Sequence, residues 1–462
     1  METDSLPLDF AQLGPLMKLA EGLDLAAVAE LAERVDLGEL IGLVARMDEG
    51  TLAAMKKMMA SSAGGEAGPP PVDSDLYDIR DALTDEERRM MEQIHSFMVS
   101  DVAPVIAGCW ARDETPVEVL RDGFRRLDVA TRIYGDGTYK RAPHAAVLEG
   151  LSTMEIARVD PSTATFFGVQ FGLVMQSLLR CGSDEQKAEW FPQFRHLDAV
   201  GAFALAEPKV GSAAAGGLTT TCRRDGDGWV LNGQKKWTGN ATFADLVIVW
   251  ARDEADASVR GFLVRAKENP GYAAEKITGK TALRAVENGL VTLTGCRVPE
   301  SDRLLGCTSF RDVADVLRVT RAGVAWIAVG CAMGAYEHAL AYVQQRRQFG
   351  RSIGSFQLVQ AKLVQMLGNV TAMQTMCLKL SRLQDEGRLT DEQASLAKVF
   401  TTTRCRETVA LARELLGGNG ILLDHHVARF FADAEAIYSY EGTHEINTLI
   451  VGRAITGIGA FV

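Results

Sequence analysis

The spacing of apolar residues first separates a short N-terminal region from the rest of the chain. Residues 7–60 contain amphipathic segments in which Asp24 and Asp36 precede apolar faces, and this pattern predicts a small helical module over residues 1–60. The stretch "SSAGGEAGPPPVDSD" that follows is rich in small residues, Gly and Pro. Such a composition disfavours regular structure and predicts a linker over residues 61–79.

Three longer regions follow the linker. Residues 80–198 have a helical period and predict an N-terminal α domain. Residues 199–305 contain short segments rich in branched side chains, such as "DLVIVWAR", and predict a middle β domain with a hairpin turn at Asn232-Gly233. Residues 306–462 are helical again and predict a C-terminal α domain. The fold class is therefore mainly α with a central β domain, without the β-α alternation of a Rossmann fold.

Charge is distributed unevenly along the chain. Of the formal net charge of −11, residues 1–75 hold 14 Asp/Glu against 5 Lys/Arg, a net of −9, so the remainder carries −2. Nucleic-acid binding depends on basic surfaces that neutralise phosphates. We therefore expect no nucleic-acid partner, while the acidic N-terminal module leaves open a docking or scaffold role.

Cysteines and apolar runs bear on the cellular compartment. The eight cysteines are scattered, without a Cys-x-x-Cys pair or a nearby His cluster, which predicts reduced thiols and no metal site. The uncharged run 161–179 contains Ser, Thr and Gln, and the run 322–336 is shorter than the ~20 residues of a membrane span. Both runs predict buried helices. The first residues also lack the pattern of a signal peptide, so we expect a cytoplasmic protein without a membrane span.

Five short motifs occur in a fixed order across the last two domains. They are "ALAEPKVGS" at 204–212, "NGQKKW" at 232–237, "RRQFGRSIGSFQ" at 346–357, "ELLGGNG" at 414–420 and "YEGTHEI" at 440–446. Each motif alone is weak, but together they resemble the signature blocks of the acyl-CoA dehydrogenase superfamily. The resemblance covers about residues 80–462. The C-terminal stretch is most similar to the glutaryl-CoA dehydrogenase branch and to the short-chain acyl-CoA oxidases close to it.

This resemblance implies a fold and an activity. The fold is an N-terminal helical domain, a middle β-barrel or sandwich domain and a C-terminal four-helix bundle, usually assembled as a homotetramer with FAD. The activity is α,β-desaturation of an acyl-CoA thioester to a trans-2-enoyl-CoA, with electrons passed to electron-transfer flavoprotein. In the family, a carboxylate removes the α-proton and the β-hydrogen leaves as hydride to the flavin. The backbone N–H of the base and a flavin ribityl hydroxyl stabilise the enolate oxygen.

Glu441 admits two interpretations. It precedes an apolar run, and a carboxylate in the first turn of a helix is favoured by the helix dipole. By motif position the resemblance instead makes Glu441 the catalytic base, whose pKa would be raised by burial against an acyl chain. Some relatives carry the base on another helix, directly before an Arg that matches Arg321. That position is Thr320 in this chain, so Glu441 is the predicted base.

The same motifs carry over further site residues. Those expected to contact FAD are Trp237, Thr238, Gly239, Thr443 and Glu445. Those expected to reach the FAD of a neighbouring subunit or its adenosine half are Arg346, Gln348, Phe349, Gln357, Gly417 and Gly418. Those expected near the substrate are Ser212, Arg321, Tyr440 and Gly442. An alternative for Trp237 is an ordinary core tryptophan.

One departure from the family pattern concerns the acyl chain. Glutaryl-CoA dehydrogenases have a Glu and an Arg flanking their Arg-Val-Asp segment, and the matching positions here are Ala157 and Ala164. A distal carboxylate in an apolar pocket would lack a charge partner, at a cost of several kcal/mol. The sequence therefore predicts a short, uncharged acyl chain and no glutaryl-CoA decarboxylation.

A second departure concerns the electron acceptor. The family Thr expected to hydrogen-bond flavin N5 is Gly239 here, as it is in the oxidase relatives. An open space beside N5 would favour reaction with oxygen and hydrogen peroxide formation. Alternatively, Thr238 or a water molecule replaces the missing hydroxyl and the enzyme remains a dehydrogenase. The C-terminus lacks a peroxisomal address, which favours the dehydrogenase.

Overall fold

The computed structural model describes residues 73–135, 141–212 and 214–460. The chain divides into two units, Met1–Asp73 and Ser74–Val462. The predicted module over 1–60, its docking role and most of the predicted linker lie outside the described residues. Residues 74–79, at the end of that linker, belong to the second unit, where the buried carboxylate of Asp75 accepts a hydrogen bond of 2.8 Å from the Ile79 N–H.

Short helices make up the N-terminal domain. They are α1 (Asp85–Phe97), α2 (Ala103–Arg112), α3 (Val117–Leu127), α4 (Val129–Tyr134), α5 (Ala145–Val159), α6 (Pro161–Phe167), α7 (Met175–Cys181) and α8 (Asp184–Arg195). Capping boxes start α1 at Thr84 and α8 at Ser183, which satisfies N–H groups that the first turn would leave unpaired. A π-helical turn, Gly168–Val174, joins α6 to α7, and π turns are frequent at functional sites.

The middle domain is a sheet. Its strands are β1 (Gly201–Ala204), β2 (Thr221–Asp225), β3 (Gly228–Gly239), β4 (Leu246–Asp253), β5 (Val259–Arg265), β6 (Tyr272–Lys276), β7 (Asn288–Pro299) and β8 (Arg303–Leu304), with a helical turn α9 (Ala214–Gly217) before β2. The strand order is β6-β7-β3-β2-β4-β5-β8, and β1 pairs with β4 in parallel. Alternate residues of β3, β4 and β7 are apolar and buried, and they form a core that is separate from that of the helices.

The predicted hairpin turn at Asn232-Gly233 is wrong. The turn between β2 and β3 lies at residues 226–227, since Asp225 pairs with Gly228. Asn232 and Gly233 instead lie inside β3 at a shift of register against β7. Gly233 is required there because a Cβ would lie 2.6 Å from the Thr220 Cα.

Long helices form the C-terminal domain. They are α10 (Phe310–Gln345), α11 (Gln357–Asp385), α12 (Asp391–Leu415), α13 (Val427–Ser439) and α14 (His444–Thr456), with a two-stranded hairpin of β9 (Arg347–Gln348) and β10 (Arg351–Ser352) between α10 and α11. Helix α10 packs against α5, α11 and α12, so the N- and C-terminal domains share one apolar core. The predicted class, mainly α with a central β domain, is confirmed.

By length and composition alone, two helical stretches of the described chain could cross a membrane, Asp85–Arg112 and Phe310–Gln345. In the most apolar window of the second stretch, 72% of the residues are buried inside the protein. Core helices of soluble proteins have the same property. The first stretch is α1 and α2, joined by a second π-helical turn (Met98–Val102), so neither stretch is a clear membrane span.

Candidate active site

A cavity of about 1720 Å³ opens where the three domains meet. The π turn after α6 contributes Val169, the end of β3 contributes Trp237 and Gly239, and α10 contributes Thr320 and Arg321. The connection between α13 and α14 closes another side. Residues that lie more than 300 positions apart in the sequence, from Glu149 to Gly457, therefore line one cavity.

Glu441 lies in that connection. Its φ of 54° is in the left-handed region, and Thr443 is the N-cap of α14. Glu441 therefore precedes the helix, while Glu445 occupies the first turn. The helix-dipole interpretation fits Glu445 and is wrong for Glu441. A left-handed backbone conformation is unfavourable for a residue with a side chain. Contacts with surrounding residues must therefore stabilise this conformation at Glu441.

The Glu441 carboxyl is half-buried and faces the cavity. Burial raises its pKa above the ordinary value of 4.5, while the Thr320 hydroxyl and the positive charges of Arg321 and Lys398 oppose that rise. A carboxylate with a raised pKa is suited to accept a proton from a weakly acidic carbon. The arrangement therefore gives Glu441 the chemistry of a general base.

The end of β3 forms another part of the cavity wall. Trp237 is 55% exposed and the Lys236 ammonium lies 5.0 Å from its ring centroid, so the interpretation of Trp237 as a core residue is wrong. A Cβ at Gly239 would have only ordinary contacts, the nearest 3.5 Å from Val169. Thr238, between them, is buried and does not line the cavity.

The predicted substrate residues lie around the same cavity. Its wall includes Ser212, Arg321, Tyr440 and Gly442, together with the predicted cofactor residue Thr443. Burial lowers the pKa of Arg321, whereas the nearby charges of Glu441 and Asp391 favour its protonated form. A guanidinium beside Glu441 helps keep the base ionised.

The other predicted cofactor residues lie away from this wall. Those outside it are Glu445, Arg346, Gln348, Phe349, Gln357, Gly417 and Gly418. Phe349 is 92% exposed beside β9, and Gly417 and Gly418 lie in an exposed 3₁₀ turn, Gly417–Ile421, after α12. The roles of all seven residues in binding FAD, including those of Arg346, Gln348 and Phe349 at the FAD of a neighbouring subunit, stay predictions.

A buried ion pair supports the cavity wall from behind. The Lys235 ammonium lies 2.9 Å from the Glu207 carboxylate, and both side chains are fully buried. Lys235 also donates to the Leu205 carbonyl, and Glu207 accepts from the N–H groups of Thr219 and Thr220. The pair thus joins β3 to residues 205–212, several of which line the cavity.

Comparison with known proteins identifies the family. Three family descriptions match in order: "Acyl-CoA dehydrogenase, N-terminal domain" over residues 84–196, the middle domain over 202–296 and the C-terminal domain over 310–456. An acyl-CoA dehydrogenase of Bacillus subtilis (strain 168) is 30% identical over 384 residues, which cover 81% of this chain and 99% of the relative. The chain belongs to the acyl-CoA dehydrogenase family.

Two further relatives of this acyl-CoA dehydrogenase are informative. The mitochondrial short-chain specific acyl-CoA dehydrogenase of Rattus norvegicus is 28% identical, covering 80% of this chain and 90% of its own. The structure of a glutaryl-CoA dehydrogenase from Mycobacterium smegmatis in complex with FADH2 is 33% identical, with a TM-score of 0.79, and covers 85% of this chain and all of that one. The enzyme is a flavin-dependent oxidoreductase of acyl-CoA thioesters, and its cofactor is FAD.

The cavity of this acyl-CoA dehydrogenase fits a flavin. Pockets for one drug-sized ligand occupy about 300–1,000 Å³, so this cavity has room for a flavin ring and an acyl thioester together. The exposed Trp237 ring offers an apolar face, and the absence of a side chain at Gly239 lets a ligand approach the backbone there. Both line the same cavity as Glu441, as a cofactor placed against the substrate would require.

The sequence did not reveal every residue of the site. Lys398, buried in α12, directs its ammonium at the carbonyls of Tyr440 and Gly442. Glu149 of α5 lines the cavity and lies 2.7 Å from the Arg141 guanidinium. A lysine within the apolar "SLAKVF" segment was a usable signal for Lys398. No sequence pattern indicated Glu149, because glutamates are common on helices.

Flavin reduction in this dehydrogenase should slow as the pH falls. Protonated Glu441 cannot accept the α-proton, and burial places its pKa above 4.5. The reduction rate should therefore rise with pH through a midpoint above that value and then level off. Anaerobic stopped-flow reduction by one acyl-CoA across acid and neutral pH measures the midpoint. A rate that stays constant down to the ordinary glutamate pKa contradicts the assignment of Glu441 as base.

Proposed function

We propose that this enzyme oxidises short, uncharged acyl-CoA thioesters to trans-2-enoyl-CoA products and passes the electrons to electron-transfer flavoprotein. The observation that carries the proposal is the position of Glu441, a carboxyl of raised pKa that lines the same cavity as Trp237 and Gly239. In the proposed complex, the acyl α-carbon would lie beside Glu441 and the flavin would lie against Trp237 and Gly239.

The reaction divides between the protein and its cofactor. Glu441 accepts the α-proton, and the electron pair left behind forms the new α,β double bond as the β-hydrogen departs. FAD, when bound, supplies the acceptor that takes the β-hydrogen with its electron pair. The Glu441 N–H stabilises charge on the thioester oxygen, and apolar residues such as Leu173 and Val324 exclude water from the acyl chain. The acyl group is oxidised by two electrons.

The cavity wall supports an uncharged acyl chain. Ala157 and Ala164, which replace the charged residues of glutaryl-CoA dehydrogenases, are both fully buried and absent from the wall. Positions 157 and 164 therefore offer no charge partner to a carboxylate on the acyl chain. Glutaryl-CoA should therefore be a poor substrate.

A substrate panel tests the proposal. The purified holoenzyme is mixed anaerobically with straight-chain acyl-CoAs from propionyl-CoA to palmitoyl-CoA, with branched acyl-CoAs and with glutaryl-CoA, and flavin bleaching is recorded. Fast bleaching with short straight chains and none with glutaryl-CoA is the expected result. FAD-loaded enzyme that no acyl-CoA bleaches contradicts the proposal.

A second candidate function is an acyl-CoA oxidase that passes the electrons to oxygen and forms hydrogen peroxide. The space left by the missing side chain at Gly239 favours it, since a Cβ there would fit with ordinary van der Waals contacts to Val169 and Val286, the nearest at 3.5 Å. Reoxidation of the reduced enzyme in air distinguishes the two candidates. Fast peroxide release favours the oxidase, whereas slow release with rapid transfer to electron-transfer flavoprotein supports the dehydrogenase.

Substitution of Gly239 tests the role of that space. Gly239→Thr should slow reoxidation by oxygen about tenfold, or about 1.4 kcal/mol of barrier, because the side chain fills the route to the flavin. Gly239→Ala is the matched control, since its methyl group has only ordinary contacts. Oxygen consumption after anaerobic reduction measures the effect. Equal reoxidation rates in both variants and the wild type would remove Gly239 from the choice of acceptor.

The assembly is also proposed. Phe349 and Arg346 stand exposed beside the β9–β10 hairpin, and the exposed Phe349 ring would be covered by a second copy of the chain. A homotetramer in which these residues reach a neighbouring FAD accounts for their distance from the cavity. A cytoplasmic location accords with the eight cysteines, all of them free and buried.

A further inference from the structure

A single buried lysine holds both ends of the segment that carries the catalytic base. Lys398 is 1% exposed, and its ammonium donates hydrogen bonds to the carbonyl oxygens of Tyr440 and Gly442. These carbonyls precede and follow Glu441. The Gly442 carbonyl accepts a further hydrogen bond of 2.8 Å from the Asn447 side chain.

The left-handed backbone of Glu441 explains this geometry. With φ of 54° at Glu441 and 84° at Gly442, the chain turns so that the carbonyls of Tyr440 and Gly442 face the same cation. A residue with a side chain rarely adopts this conformation unless other contacts impose it. Because a buried ammonium must find acceptors, the lysine and the strained segment stabilise each other.

The same geometry fixes the direction of the Glu441 N–H. The Tyr440 carbonyl and the Glu441 N–H belong to one planar peptide group, which is trans, so they point in opposite directions. Lys398 is not part of the cavity wall, whereas Tyr440, Glu441 and Gly442 are. The N–H of Glu441 therefore points away from Lys398 and toward the cavity, and it forms no hydrogen bond with any residue that the structure describes.

We infer that Lys398 is a positioning residue that aims both the Glu441 carboxylate and the Glu441 N–H at the substrate thioester. This inference rests on the proposed function. When the α-proton passes to Glu441, the electron pair it leaves moves onto the thioester oxygen, and the aimed N–H stabilises that negative charge by donating a hydrogen bond to the oxygen. Donors fixed in advance at such an oxygen stabilise the transition state more than the bound substrate.

The test isolates α-proton removal from later steps. The probe is an acyl-CoA analogue in which sulfur replaces the β-carbon, so no hydride can leave. The holoenzyme is incubated with it in D₂O, and deuterium at the α-carbon is followed by mass spectrometry. Lys398→Met should lower the exchange rate by about 100-fold, the usual effect of losing one oxyanion donor, with little change in the KM of the analogue or in FAD content.

Two further variants complete the test. Lys398→Gln keeps N–H donors but removes the charge. Its exchange rate should fall by only about tenfold relative to the wild type, which is less than the loss in Lys398→Met. Lys362→Met is the control, because Lys362 forms a surface ion pair with Glu414 on the outer side of α11, and it should exchange at the wild-type rate. The pH profile adds a separate readout. With Thr320 and Arg321 still facing Glu441, loss of the Lys398 charge should move the midpoint to higher pH.

The possible outcomes separate the two proposals. Wild-type enzyme that does not exchange the α-proton overturns the proposed function and, with it, this inference. If the wild type exchanges, then a folded, FAD-loaded Lys398→Met or Lys398→Gln enzyme that exchanges at the wild-type rate overturns the role of Lys398 alone. A loss that appears only as a raised KM also overturns it, because an aimed donor acts on the transition state.

Discussion

Replacement of Glu441 by Gln should slow flavin reduction by acyl-CoA about 10⁴-fold, at the upper end of the contribution of a general base. The amide has nearly the same shape, so FAD should stay bound, but it cannot accept the α-proton. The change also removes the charge that Arg321 and Lys398 face. Single-turnover reduction in an anaerobic stopped-flow instrument measures the effect without interference from the electron acceptor.

Two companion variants sharpen this prediction. Glu435→Gln, on the exposed face of α13 where Glu435 pairs with Arg406 at 2.8 Å, should keep the wild-type rate. Thr320→Glu in a Glu441→Gly background should restore part of the lost rate, because Thr320 lies beside the Glu441 carboxyl and both line the cavity. Full activity in Glu441→Gln alone would show that another group removes the proton.

The prediction of Glu441 as the base rests on a motif whose local geometry the structure describes. The "YEGTHEI" motif contains its own turn: Gly442 has a φ of 84°, and a Cβ there would lie 3.1 Å from the Asn447 side chain. Thr443 caps α14 through the Ile446 N–H. These local requirements follow from neighbouring residues, so a short pattern can express them.

Other features depended on contacts that no short pattern expresses. Lys398 lies 43 positions before Glu441, and only the packing of α12 against the segment after α13 brings its ammonium to the carbonyls. The Asn232-Gly233 pair fits a turn locally, yet the close approach of Thr220 and the pairing with β7 place it inside a strand. In both cases tertiary contacts decided what the local sequence left open.

The buried pair of Lys235 and Glu207 should give the largest stability effect of any single change proposed for this chain. Burial lowers the pKa of Lys235 to about 8. Burial also raises the pKa of Glu207, but the attraction of Lys235 and the hydrogen bonds from Thr219 outweigh it and lower that pKa to about 2. Both groups are therefore charged at neutral pH, and neither charge is exposed to solvent that could hydrate it.

Lys235→Met should lower the free energy of unfolding by about 3–5 kcal/mol, because Glu207 is left buried and unpaired. Chemical denaturation of the FAD-loaded enzyme, followed by far-UV circular dichroism, measures the loss. The variant should also release FAD more readily, since the pair fixes residues 205–212 against β3.

The double variant Lys235→Met with Glu207→Gln distinguishes the pair from simple loss of packing. It should recover part of the lost stability, because an amide needs less compensation than a buried carboxylate and its oxygen still accepts from Thr219 or Thr220. If the double variant is as unstable as the sum of the single changes, the two side chains act independently. The cavity wall would then depend on packing around β3 and not on the ion pair.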